Sequence, residues 1–376
     1  MAKIILVGSA YPYRGGGITT FNERLIKEFR KEGHDAEIIT FTLQYPSFLF
    51  PGKTQYSEEL PPKNLPVKRM VNSCNPFNWI KVGQYLKKQK PDILLFRYWT
   101  PFMSPCFGTI ARIVKKNKQT KIVSIIDNMI PHEKRIVDTL LSRYFVKPID
   151  GFVAMTKSVL SDIRKFKDTP NQAFCLHPLY DNFGEKLKRE DALTNLSLDK
   201  NFRYLLFFGL IRDYKGLDIL LEAFADERLR KYPVKLIVAG EFYANQDLYY
   251  DLIRKLNLED NLIMRANFIA DNDVKNYFCA SDMIVQPYKS ATQSGVTQVA
   301  YHFEKPMLVT NVGGLPEMVP HMKAGYVVNP DSKDIADALV DFYEQNTDFS
   351  SGIIEEKKKY LWGNMTKAIT ELYQNC

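Results

Sequence analysis

The sequence predicts an α/β protein built from two doubly wound parallel-sheet domains. Short, continuous apolar runs alternate with helix-period stretches from one end of the chain to the other. Strands that read as unbroken apolar runs are covered by helices on both faces, which is the signature of a parallel sheet. The rhythm also occurs twice, on either side of a polar stretch over residues 182–201, and 376 residues suit about two domains.

Strand runs in the first half lie at residues 4–7, 36–41, 93–98, 121–126 and 151–155. Amphipathic stretches at 19–31, 78–88, 105–116 and 134–146 fall between them and predict helices. In the second half the strand runs are 204–208, 234–239, 262–268, 283–287, 307–310 and 325–328, with helices in the gaps. The expected domains are therefore 1–190 and 191–350. Tyr360, Leu361, Trp362, Met365, Ile369, Leu372 and Tyr373 then mark one more amphipathic helix within 351–376. One long irregular stretch, 43–66, carries five prolines and an aromatic tip from Tyr45 to Phe50; such loops are commonly functional.

Composition narrows the class. A hydrophobic share of 45% with 25% charged residues is that of a globular chain. Five scattered cysteines without a Cys-x-x-Cys argue for a reduced, cytoplasmic setting and against a zinc knuckle or disulfide framework. No run approaches the roughly 20 apolar residues that span a bilayer. The net charge of +8 is unevenly spread: residues 1–184 hold 28 Lys and Arg against 15 Asp and Glu, an excess of 13, and the remainder is acidic. The basic half could face anionic lipid, a phosphorylated acceptor or nucleic acid, or be ordinary surface variation. Basic charge without an interleaved aromatic–glycine module is weak support for nucleic acid, which is not expected as a partner. Peripheral contact with an anionic membrane on the cytoplasmic face is the expectation carried forward, through the first domain and its 45–50 loop.

Two segments carry chemistry. After the strand at 204–208 comes Gly209-Leu210-Ile211-Arg212-Asp213-Tyr214-Lys215-Gly216, then a helix. Ligands of parallel α/β sheets bind at such strand C-terminal ends. Arg212 and Lys215, beside free helix amides, suit a diphosphate; a solvated basic loop is the plainer reading. The second segment runs from Pro287-Tyr288 through Thr292, Ser294, Gly295 and Val296 into a helix. It reads as a helix N-cap, or as amides of Gly295 and Val296 offered to the same anion. In the first half, Gly15, Gly16 and Gly17 follow the first strand; they form a tight turn or let a ligand approach the backbone. The pattern is not Gly-x-Gly-x-x-Gly, so nicotinamide binding is weak. Asp271-Asn272-Asp273 reads as a helix N-cap rather than a metal site, and no metal is expected.

The order and spacing of these pieces resemble the retaining glycosyltransferases of family four. The resemblance covers nearly the whole chain. It rests on Gly15–Gly17 with Phe21, Gly209…Arg212…Lys215-Gly216, Val238-Ala239-Gly240, Pro287-Tyr288, Lys305-Pro306, Gly313-Gly314-Leu315-Pro316-Glu317 and Gly325-Tyr326. It implies the GT-B fold: α/β, two Rossmann-like doubly wound domains facing across a cleft, with the C-terminal helix crossing back to the first. It implies a UDP- or GDP-sugar donor on the second domain, and no other cofactor. The acceptor, a glycan or lipid-linked saccharide of cell-surface polysaccharide assembly, is assigned to the first domain. Arg212, Lys215, Thr292, Ser294, Gly295, Val296, Gly16 and Gly17 become the diphosphate contacts, and Asn267 and Phe268 the nucleobase contacts. Asp127 and His132, after the 121–126 strand, become the candidate catalytic residues; a locally bonded helix start is the plainer reading of His132. Many members carry two glutamates eight positions apart beside the diphosphate loop. Residues 292–300 hold no acid here, with Gln293 and Val299 near those places. A sugar-nucleotide epimerase on the same fold, or a non-catalytic sugar-nucleotide binder, are the rival readings.

Overall fold

The computed structural model describes residues 1–13, 17–46, 55–57, 61–62, 64–130, 136–243, 245–291 and 294–376, the Ile136 side chain excepted. It divides into two compact units. Unit 1 is Met1–Pro178 with Leu361–Cys376, and unit 2 is Leu179–Tyr360. The expected divisions at 190/191 and 350/351 differ from these. Residues 179–190 belong to unit 2, because Leu187 donates its amide to Cys279 Sγ and Lys186 pairs with Glu304. Residues 351–360 also stay with unit 2.

Unit 1 runs β1 (Lys3–Val7), α1 (Gly17–Lys31), β2 (Asp35–Leu43), β3 (Val67–Asn72), α2 (Pro76–Gln89), β4 (Ile93–Tyr98), α3 (Ser104–Lys115), β5 (Lys121–Ile126), α4 (Ile136–Val146), β6 (Gly151–Ala154), α5 (Lys157–Phe166) and β7 (Gln172–Phe174). Unit 2 runs α6 (Arg189–Asn195), β8 (Arg203–Phe208), α7 (Leu217–Phe224), β9 (Val234–Ala239), α8 (Gln246–Lys255), β10 (Leu262–Arg265), α9 (Asp271–Ala280), β11 (Met283–Gln286), α10 (Gly295–His302), β12 (Met307–Thr310), α11 (Leu315–Met318), β13 (Gly325–Val328), α12 (Ser332–Gln345) and α13 (Ser350–Lys357). The last helix, α14 (Trp362–Asn375), belongs to unit 1.

Each unit holds one parallel sheet. The strand orders are β3-β2-β1-β4-β5-β6-β7 and β10-β9-β8-β11-β12-β13. The order reverses between β1 and β4 in one sheet and between β8 and β11 in the other. At such a reversal the flanking crossovers go to opposite faces and leave a crevice at the strand C-terminal ends. Alternate residues of β1 show why the strands read as unbroken apolar runs: Ile5 and Val7 enter one core, Ile4 and Leu6 the other. Trp362, Met365, Ile369 and Leu372 of α14 complete the second of these cores beside Phe21 and Leu25 of α1.

Two strands escape the pattern reading. β3 carries Lys68 and Arg69 on exposed positions, as an edge strand guarded by charge does. β7 is three residues long and at most half-buried. A third expected strand, 262–268, stops at Arg265, so Asn267 and Phe268 lie beyond β10 rather than within it.

Candidate functional site

One cavity of unit 2 lies at its sheet reversal. Its volume is about 620 Å³, and residues following β8 and β11 meet there: Phe208, Tyr214 and Lys215 from one side, Tyr288, Ser294 and Gly295 from the other. Tight backbone turns make this possible. Gly209 has φ +99°, and a Cβ there would stand 3.0 Å from Lys215 Nζ and 3.8 Å from Val296 Cγ2. Gly216 has φ +68°, and a Cβ there would stand 2.0 Å from the Pro287 carbonyl oxygen. Only glycine fits at Gly216, where a left-handed turn presses against the other loop.

Lys215 is half-buried. Among the described residues it has no anionic partner; its Nζ lies 5.6 Å from the Tyr288 ring centroid. Burial, and then the charge of Arg212, lower its pKa to about 8. A cation held that way gains when an anion arrives. Arg212 is exposed, with its guanidinium 5.2 Å from the Tyr243 ring centroid, and it does not line the cavity. Ser294 is the N-cap residue of α10, yet its side chain caps nothing; its Oγ lies 3.3 Å from the Tyr288 hydroxyl. Among the described residues no side chain caps the first-turn amides of α10, and a helix start of this kind attracts an anion. Tyr288 is buried and its pKa is pushed up to about 12 by that burial, so it stays a neutral hydroxyl.

The structure thus brings Lys215, Ser294, Gly295 and Val296 to one cavity. Thr292, with Gln293, lies outside the described residues. Asn267 and Phe268 are exposed, and neither lines the cavity. The aromatic wall of Tyr180, Phe183, Phe208 and Tyr214 is a feature that sequence reasoning did not single out. Its residues are scattered, and only the fold gathers them. None of the described lining residues is acidic, and Val299 forms part of the wall.

In unit 1, Gly17 is the first residue of α1, while Gly16 lies outside the described residues. His132 lies outside them too. Asp127 sits directly after β5 and is gripped by Arg97 of β4: Nε donates to Oδ2 at 2.7 Å and NH2 to Oδ1 at 2.5 Å. Arg97 is buried, its Cζ 3.8 Å from the Phe21 ring centroid. Any role of Asp127 must therefore use the lone pairs that this bidentate bond leaves.

Two expectations need correction. The N-cap residue of α9 is Ala270; Asp271 and Asp273 occupy the first turn instead, where negative charge suits the helix dipole. Tyr45 is not free to meet lipid: its ring stacks on Phe102 at 5.5 Å, and its hydroxyl accepts from Trp99 Nε1 at 2.6 Å. Phe48, Leu49 and Phe50 lie outside the described residues.

Comparison with known proteins follows the same division. Residues 15–178 match the family described as Glycosyltransferase Family 4, and residues 202–345 match Glycosyl transferases group 1. An uncharacterized glycosyltransferase of Methanocaldococcus jannaschii is 22% identical, over 99% of this chain and 98% of its own. A glycosyltransferase structure from Rickettsia africae superposes with a TM-score of 0.70 at 17% identity, covering 100% of this chain and 98% of that one. HepE of Anabaena, solved with UDP-glucose, superposes with a TM-score of 0.63 at 16% identity, covering 100% of both chains. With two parallel α/β sheets and family matches in both units, the chain belongs to the family-four glycosyltransferases and has the GT-B fold.

Proposed function

We propose that the protein is a retaining hexosyltransferase. It takes a hexose from a nucleoside diphosphate sugar held on unit 2 and passes it to a glycan or lipid-linked acceptor in cell-surface polysaccharide assembly. The observation that carries the reading is a half-buried lysine without an anionic partner among the described residues, next to a start of α10 that no described side chain caps, at a sheet reversal. That arrangement suits a diphosphate. UDP-glucose bound to HepE supports a sugar-nucleotide donor of this class.

Breaking the donor's glycosidic bond leaves charge on the β-phosphate. Lys215 and the amides of Gly295 and Val296, already at the cavity, would stabilise it, joined by Arg212 of the same loop. The reaction then needs no metal, and the departing phosphate oxygen accepts the acceptor's proton during front-face attack. Asp127, oriented by Arg97, would accept a hydrogen bond from the acceptor side.

A thermal-shift panel of nucleoside diphosphates and sugar nucleotides tests the site. A ligand at 100 times its dissociation constant stabilises by about 2.7 kcal/mol. Turnover with the sugar nucleotide that shifts the protein should persist in excess EDTA; complete loss, restored by magnesium or manganese, would overturn metal independence. The absence of acids from the described cavity wall favours one second reading, a non-catalytic sugar-nucleotide binder. The same thermal shift without glycosyl transfer to any acceptor would select it.

A further inference from the structure

Two loops meet at the cavity of unit 2, one after β8 and one after β11, and each is anchored away from the other. The first is held at Ile211, which donates its amide to the Glu241 carbonyl at 2.8 Å and accepts from the Tyr243 amide at 2.9 Å. It is held again at Asp213, whose Oδ1 accepts from the Tyr249 hydroxyl at 3.3 Å. These partners follow β9 or lie on α8, and β9 stands on the far side of β8 from β11. The second loop is pulled the opposite way: Thr310 Oγ1, at the end of β12, donates to the Tyr288 carbonyl at 2.5 Å. By these anchors alone the loops would be fastened to opposite halves of the sheet.

Lys289 spans the gap. Its amide donates to the Tyr214 carbonyl at 2.7 Å. Its Nζ donates at 2.6 Å to Oδ2 of Asp218, in the first turn of α7. Among the described residues, the hydrogen bonds that join residues 209–218 to 287–296 both come from Lys289. Asp218 Oδ1 is buried and meets no donor among the described residues, so this carboxylate is committed to Lys289. Neither Lys289 nor Asp218 lines the cavity. Their side chains are 40% and 39% exposed, and an ion pair that exposed adds little to stability. What it fixes is a separation, that between the Lys215 side of the cavity and the start of α10.

We infer that Lys289 is a positioning residue of the donor site: by clamping one loop to the other it holds the cavity at the span of a diphosphate. A diphosphate can touch both sides at once, whereas a single phosphate reaches one. The clamp therefore confers preference for nucleoside diphosphates over monophosphates, because a preorganised gap spares the ligand the cost of ordering two loops. The inference deepens the proposed function and rests on its assignment of the cavity to the donor.

Binding of UDP, UMP, GDP and GMP to the full chain, by isothermal titration, tests the clamp. The parent should prefer the diphosphate of whichever base it binds. Lys289→Met and Asp218→Ala should each weaken diphosphate binding about 10-fold, the scale on which residues of one network are coupled, and leave monophosphate binding nearly unchanged. Lys289→Arg, which can keep the ion pair, should retain the preference. The melting temperature without ligand should hold in all three variants. A diphosphate preference untouched by Lys289→Met would overturn the inference. Tighter binding in Asp218→Ala would overturn it too, since a lysine that gains by release from its carboxylate is itself a phosphate contact. Hydrogen exchange of the ligand-free chain tests the loops separately. In Lys289→Met and Asp218→Ala, amides of 209–218 and of the first turn of α10 should exchange faster. Faster exchange in a protein that binds none of the four nucleotides removes the donor reading and leaves the clamp standing. Diphosphate binding with unaltered exchange does the reverse.

Discussion

At the scale of single residues, the donor site depends on charge that is kept partly out of water. Lys215→Ala and Arg212→Ala should each lower turnover by about 10²-fold or more while leaving the fold intact, since each would remove one cationic donor to the leaving phosphate. Among the described residues neither Arg212 nor Lys215 has an anionic partner, so neither truncation breaks a described ion pair. Normal kinetics in either variant would end the diphosphate assignment. The sign of the pH effect follows from burial. Lys215 carries its proton below about pH 8 and loses it above. Donor affinity should therefore fall as pH rises through that value, and the dependence should vanish in Lys215→Ala, measured by nucleotide titration from pH 6 to about 10. The unliganded protein should gain stability over the same upward range, because the unfolded lysine still holds a proton that the folded one has released. The basic loop was legible in the sequence. The lowered lysine was not, because it depends on burial at a cavity that only the packed chain forms.

At the scale of elements, the turn between β8 and α7 is the demanding piece. Gly216 serves both as the end of the Asp213–Lys215 turn and as the N-cap of α7, in a left-handed conformation against Pro287. Gly216→Ala must shift one loop away from the other. It should cost about 1–3 kcal/mol in urea denaturation and weaken nucleotide binding as well. Unchanged stability would mean that the loops do not press together as described. Helical elements with strong periodicity, such as α1, are plain in the sequence because their buried residues recur on one face. Edge strands are not. β3 and β7 have few buried positions, so periodicity has little to report; neighbouring β2 and β6 recruit them by backbone hydrogen bonds. The start of α10 shows the same limit. Ser294 stands at the N-cap position that the sequence indicated, but its hydroxyl turns towards Tyr288 instead of the helix amides.

At the scale of the whole molecule, unit 1 is completed by residues almost the length of the chain away. Ile369 of α14 is fully buried in the same core as Phe29 and Leu95. Ile369→Ala should therefore cost about 2–5 kcal/mol, like other large-to-small changes in packed cores. The loss should appear as early unfolding in a thermal scan, and retention of the parent's melting temperature would show that α14 is not part of this core. The sequence by itself determined the class of architecture: apolar runs in alternation with helix periods, twice over, admit little besides two parallel sheets. It also determined that Arg212 and Lys215 share one loop, since that is a matter of spacing. Tertiary structure decided where the units divide, because Leu179–Lys188 joins unit 2 through contacts with Cys279 and Glu304 that no local pattern records. It decided that Asp127 is bound to Arg97, thirty residues earlier, because adjacent strands β4 and β5 set them side by side. It also gathered Tyr180, Tyr214, Tyr288 and Lys215 around one cavity. Local spacing fixes which residues can share an element, whereas the burial and charge of a site depend on neighbours that only the packed chain supplies.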